Sequence, residues 1–177
     1  MNTVGCIRAR LGSTPYFIAK MTAGQLTDSV GFAMEMPEWE DMSPDEKMQR
    51  TLDVNRVVND IVPYIIDDED KFMGSLIVDI YQGFDDMTFE SVGDVFPTIP
   101  GAYKSSMKDM GFLSFPGNER LIALDGQHRL LALRIAIKGL SGLPGWIAKV
   151  APSWNNLKPH TELAREEISV IFVEHRN

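Results

Sequence analysis

One stretch, Leu121 to Gly139 (LIALDGQHRLLALRIAIKG), constrains the fold more than any other. The apolar run Leu121–Leu124 is long enough for a buried strand and is halted by an acid and a glycine. Beyond it, Leu130, Leu133 and Ile137 fall on one helical stripe and Leu131 and Ile135 on another. This predicts a helix that is apolar on most sides and therefore buried. Gly139 ends it, with Lys138 in the last turn where a cation suits the helix dipole. A buried strand that turns through glycine into a helix points unpaired amides, and the positive end of the dipole, at one spot outside the sheet. Gly126 would let an anion approach that spot closely. Arg129 offers a fork of donors, and Gln127 and His128 add further ones. Each residue also has a plain structural role: Asp125 as N-cap, Gly126 as turn residue, His128 and Arg129 as ordinary members of a first helical turn.

The rest of the chain supplies a sheet for this helix to cover. The first dozen residues, with Arg8 and Arg10, read as a loosely held arm (residues 1–14) before a single domain (residues 15–177). Tyr16–Lys20 reads as a strand, with Thr22 or Thr27 capping the short helical turns that follow. Met34–Met42 reads as a loop. Ser43-Pro44-Asp45-Glu46 is a helix start with a capping box, and the helix it opens should run to about Tyr64. Val54, Val57, Val58, Ile61 and Ile65 form its buried stripe. Gln49, Asp53, Arg56 and Asp60 recur on another face, where they suit a ladder of surface ion pairs.

Leu76–Tyr81 is a strand, and Met87–Phe96 alternates as its hairpin partner across Gly83–Asp86. Ala102–Met110 is a short helical piece carrying Lys104 and Lys108 four apart, candidate contacts to nucleic-acid phosphates or simply solvated charges. Trp146 and Trp154 are candidates to stack a base or to fill the core. His160 precedes a short helix and Glu167–Val173 is a last strand. The fold expected is α+β, a mixed sheet of about five or six strands with the motif helix on one layer and the Ser43 helix on the other.

Composition narrows the classes. The chain of 177 residues is one domain on length. A single Cys forbids an internal disulfide, and three scattered His without Cys pairs give no zinc spacing. No run reaches membrane-spanning length and the N-terminus lacks a secretory apolar core, so a soluble cytoplasmic protein is expected. The net charge of −8 argues against a simple nucleic-acid clamp, yet it is uneven. Residues 1–99 carry 7 basic and 18 acidic side chains; residues 100–177 carry 10 and 7, so the motif lies in the basic part.

Asp125-Gly126-Gln127-His128-Arg129 matches the signature of the DGQHR-domain family, whose best-known members are the DndB proteins of bacterial DNA sulfur modification (phosphorothioation). Tyr16–Leu26, Gln49-Arg50 followed by Asn55-Arg56-Val57, and Ile61–Tyr64 into Phe72–Val78 resemble that family in the same order. More widely the turn resembles that of the ParB and sulfiredoxin superfamily, where a Gly, x, His or Arg, Arg turn holds phosphate at a helix N-terminus. A related DGQQR turn in GmrSD-type restriction proteins is associated with nucleoside triphosphate hydrolysis. Sulfiredoxins carry a catalytic Cys where this chain has Gln127, so sulfinic acid reduction is not expected. DndB-type proteins generally look longer, so the likeness fits either an N-terminal domain or a short family form.

The resemblance implies a phosphate or nucleotide site built from Gly126, Gln127, His128 and Arg129, with Gln49, Arg50 and Arg56 beside it. Three functions then stand open. In the first, the turn binds ATP or another nucleoside triphosphate, with or without magnesium, and Asp125, Gln127, His128 and Arg129 act on the transferred group; Arg129→Ala would then abolish turnover and leave the melting temperature nearly unchanged. In the second, the protein binds DNA and regulates the modification genes without catalysis. In the third, it is a non-catalytic assembly subunit of the modification proteins.

Overall fold

A computed structural model describes residues 3–44, 47, 51–96, 98–147, 154 and 157–174. The fold is α+β. Its eight-stranded sheet comprises β1 (Thr3–Leu11), β2 (Thr14–Thr22), β3 (Val30–Phe32), β4 (Leu76–Gln82), β5 (Thr88–Ser91), β6 (Met110–Ser114), β7 (Arg120–Asp125) and β8 (Glu167–Glu174). Their order across the sheet is β3-β7-β4-β8-β2-β1-β6-β5. The β3·β7 and β4·β8 pairs are parallel and the remaining neighbours antiparallel.

Of the two caps the sequence offers, Thr22 opens helix α1 (Ala23–Ser29) by closing a reciprocal capping box with Gln25, whereas Thr27 lies within the helix and donates its hydroxyl to the Gly24 carbonyl. Helix α2 spans residues 54–67. It is α-helical over Val54–Arg56, π-helical over Val57–Ile61 and α-helical again over Val62–Asp67. Pro63 has no N–H to offer the ladder, and the widened turn just before it carries a Val62 N–H to Val57 carbonyl bond instead. Short helices α3 (Val92–Val95) and α4 (Lys104–Met107) join β5 to β6. Helix α5 (Gln127–Lys138) is the motif helix, and Gly139 ends it at φ 61°.

The buried face of α5 is as broad as its sequence predicts: Leu130, Leu131, Leu133, Ile135 and Ile137 are all at most 5 % exposed. Each such side chain contributes about 2 kcal/mol by leaving water. They pack with Val57, Val62 and Ile65 of α2 and with Leu76, Val78, Val170 and Phe172 of the sheet in one core. Among the described residues no helix is long and apolar enough to cross a membrane.

Several expectations are corrected. Residues expected to form an arm make β1, an interior strand paired on both sides, with Val4 and Cys6 buried and Gly5 exposed between them. The sheet has eight strands rather than five or six. The chain does not turn back on β4 as a hairpin after Gly83: β5 pairs with β6 at the far edge, because both sides of β4 are taken by β7 and β8.

Phe89 settles the placement of β5. Its ring lies against Gly111, where a Cβ would come within 2.6 Å of it, and it meets Phe17 at 5.8 Å and the Arg8 guanidinium at 4.5 Å. The expected single helix from Ser43 to Tyr64 is also broken. Pro44 and Lys47 are helical, Thr51–Asp53 are not, and α2 starts afresh at Val54. Helix α2 packs against α5 in the same core rather than on the opposite layer. Over β7 and β4 the opposite face is covered instead by the 3-10 turns Ala33–Glu35 and Pro37–Asp41, through Ala33, Met36 and Ile122.

Candidate functional site

The DGQHR turn lies where β7 leaves the sheet and α5 begins. Gly126, not Asp125, is the N-cap, at φ 87° and ψ 16°, and it supplies no side-chain cap. The side chains around it each reach a different part of the fold. Gln127 is buried, and its Oε1 accepts the Ala33 N–H at 3.1 Å. The His128 Nε2 accepts the Asp53 N–H at 3.0 Å. Arg129 donates through Nη1 to the Gly74 carbonyl and, at 3.4 Å, to that of Ser75; its Nη2 donates to Asp125 Oδ2 at 3.1 Å. The motif thus fastens the segments before β4, after β3 and before α2 to one helical turn. Arg129, expected as an open phosphate fork, is engaged within the fold.

His128 also explains the helix break. Its ring takes the Asp53 N–H while the Asp53 carboxylate accepts from the Arg56 N–H at 3.0 Å, so Asp53 becomes the N-cap of α2. An Nε2 that accepts carries no proton, so the ring is neutral and protonated on Nδ1. Burial and then the nearby Arg56 charge push its pKa below 6.5, against a smaller opposing pull from Asp53. The folded state therefore prefers the neutral ring. The unfolded chain binds the extra proton, so this stability is fully present above about pH 6.5 and is lost as pH falls through the folded-state value. Thermal melts between about pH 5 and about pH 8 should show it as a slope that His128→Gln, which keeps an acceptor but cannot titrate, removes. An unchanged slope in that variant would refute the role of the His128–Asp53 bond.

A family model for DndB, described as DNA-sulfur modification-associated, matches residues 4–177. The chain belongs to the DndB family. That membership ties it to DNA sulfur modification systems. No curated protein and no solved structure matches it.

In this DndB-family chain the other candidate residues that the structure describes fall in two places. Arg56 is exposed beside His128, close enough to act on its charge. Gln49 and Arg50 lie outside the described residues. Lys104 and Lys108 are exposed at the opposite end of the strand order, in the β5–β6 connection, and are not brought to the motif. Asp109, next to Lys108 in the chain, has neighbours the sequence did not advertise. The Arg8 N–H donates to the Asp109 carbonyl at 2.7 Å, and the Arg8 guanidinium lies 3.6 Å from the Asp109 carboxylate. Arg8, Arg10, Pro15 and Asp109 line a hollow of about 500 Å³ there. Reading β1 as an arm hid this, although Arg8 and Arg10 at a two-residue spacing were the available signal.

Trp154 is buried and Trp146 packs edge-on against Phe32 at 5.8 Å, so both serve the core. Among the described residues no group of three or more His, Cys, Asp or Glu is placed to hold a metal ion.

Proposed function

We propose that the chain serves DNA sulfur modification as a DNA-binding accessory protein that regulates the modification genes without catalysis. The observation that carries this is that Arg8 and Arg10 share a hollow with Asp109, whose chain neighbour Lys108 is exposed with Lys104 one helical turn away, on a chain whose net charge is −8. Asp109 offsets part of that charge, so about three phosphate contacts remain, and log affinity should fall with log salt at a slope of about −3. Fluorescence anisotropy with a short duplex tests it. Arg10→Ala and Lys108→Ala should each flatten the slope by about 1. A flat salt response in the wild type, or an unaltered slope in the double variant, sinks the proposal.

A second reading places the phosphates of ATP or another nucleoside triphosphate at the first turn of α5. It is favoured by the absence of a side-chain cap there and by the exposed Arg56 nearby. Gln127 and Arg129 would act in it as positioning residues. Calorimetry with ATP and magnesium, run in parallel with phosphate release, separates the cases. Heat lost in Arg56→Ala supports the site, phosphate release makes it hydrolytic, and no heat at all removes it.

A further inference from the structure

A hollow of about 270 Å³ opens at the β3 edge of the sheet, walled by the end of α1, by β3, by the start of β7 and by Arg134 of α5. Glu35, Glu119, Arg120 and Arg134 line it, all half-buried. Opposite charges in so small a space ordinarily pair, because a charge that has left water needs a partner. Here they do not: among the described residues neither guanidinium lies within ion-pair distance of either carboxylate.

The backbone holds them apart. Arg120 Nη2 donates to the Glu35 carbonyl, and Arg134 Nη2 donates to the Thr27 and Val30 carbonyls at 3.0 Å each. The Arg134 guanidinium also rests over the Phe32 ring at 4.8 Å. Glu35 Oε2 accepts the Phe32 N–H at 3.2 Å, and Glu119 Oε2 accepts the Gly117 N–H at 2.7 Å. Asp28, which also lines the hollow, is taken by Lys138 at 2.5 Å. Each anchor occupies one nitrogen or one oxygen of its group, which leaves Nη1 of both arginines and Oε1 of both glutamates for something else; the buried Arg134 Nε has no partner. Gly31 makes the arrangement possible, since a Cβ there would collide with Glu35 Oε2.

Fixed donors beside fixed acceptors are preorganised for a molecule that brings both complements. The sign balance disfavours simple ions, for the carboxylates repel an anion and the guanidinia a cation. No aromatic side chain lines the hollow, so a nucleobase has nothing to stack on. A small zwitterion meets every condition. We propose that the hollow binds a free α-amino acid, its carboxylate on Arg120 and Arg134 and its ammonium on Glu35 and Glu119.

Thermal melts of the full chain with a panel of the protein α-amino acids, and with acetate, methylammonium and inorganic phosphate, find the ligand, and calorimetry then measures it. At least one amino acid should raise the melting temperature by a few degrees, and the simple ions should not. Glu35→Gln keeps an acceptor for the Phe32 N–H, so without ligand it should melt like the wild type, yet it should bind about tenfold more weakly. Gly31→Ala should weaken binding as well, by pushing the Glu35 carboxylate off its anchor. The proposal fails if no amino acid stabilises the chain, if acetate or phosphate stabilises it as much, or if Glu35→Gln binds like the wild type.

Discussion

Gly126→Ala is expected to destabilise the protein by about 3 kcal/mol. Two causes add. The residue sits at φ 87°, a conformation that costs an L side chain roughly 1–2 kcal/mol. The new Cβ would also lie 2.8 Å from Leu76 Cγ and 3.0 Å from Arg129 Nη2. Leu76 is fully buried, so it has little room to yield. For a chain of this size the loss corresponds to a fall of roughly 10 °C in melting temperature. Gly117→Ala is the control: φ is 98° there, but nothing lies within 4 Å of the added methyl. It should show the backbone cost alone. Equal melting temperatures for the two variants would mean that the tight corner at Gly126 is not there.

Arg129→Ala is expected to cost about 2 kcal/mol, and this reverses the expectation that its loss would spare stability. The side chain is only 25 % exposed, and removing it loses its charge-assisted hydrogen bonds to the Gly74 and Ser75 carbonyls. Asp125 is 67 % exposed, so its ion pair with Arg129 is worth little by itself. The order of effects is therefore diagnostic: Arg129→Ala should be much worse than Asp125→Ala, and Arg129→Lys should recover little because an ammonium cannot reproduce the fork. Chemical denaturation of the three variants reads this directly. A wild-type midpoint for Arg129→Ala would show the guanidinium to be free, and would return it to the phosphate.

Local signals carried well. The apolar run before Asp125 and the stripes after Arg129 became β7 and α5, and Thr22 with Gln25 became a complete cap, because every partner involved lies within a few residues. Signals whose partners are distant did not carry. Nothing near Asp53 says that a ring 75 residues later takes its N–H and breaks the helix. Nothing near Phe89 says that Gly111 leaves room for it, sending β5 to the far edge. The basic pair in β1 resembled an arm because its burial alternation is confined to Val4 and Cys6.

The strand–turn–helix unit, the α+β class and the family were legible along the chain, since periodicity, glycine and motif are properties of contiguous residues. What the motif side chains hold and which strands are neighbours became visible once the chain was packed. Those depend on which backbone donors and acceptors are left unpaired once the sheet has closed, and that is a property of the packed chain rather than of any segment in it.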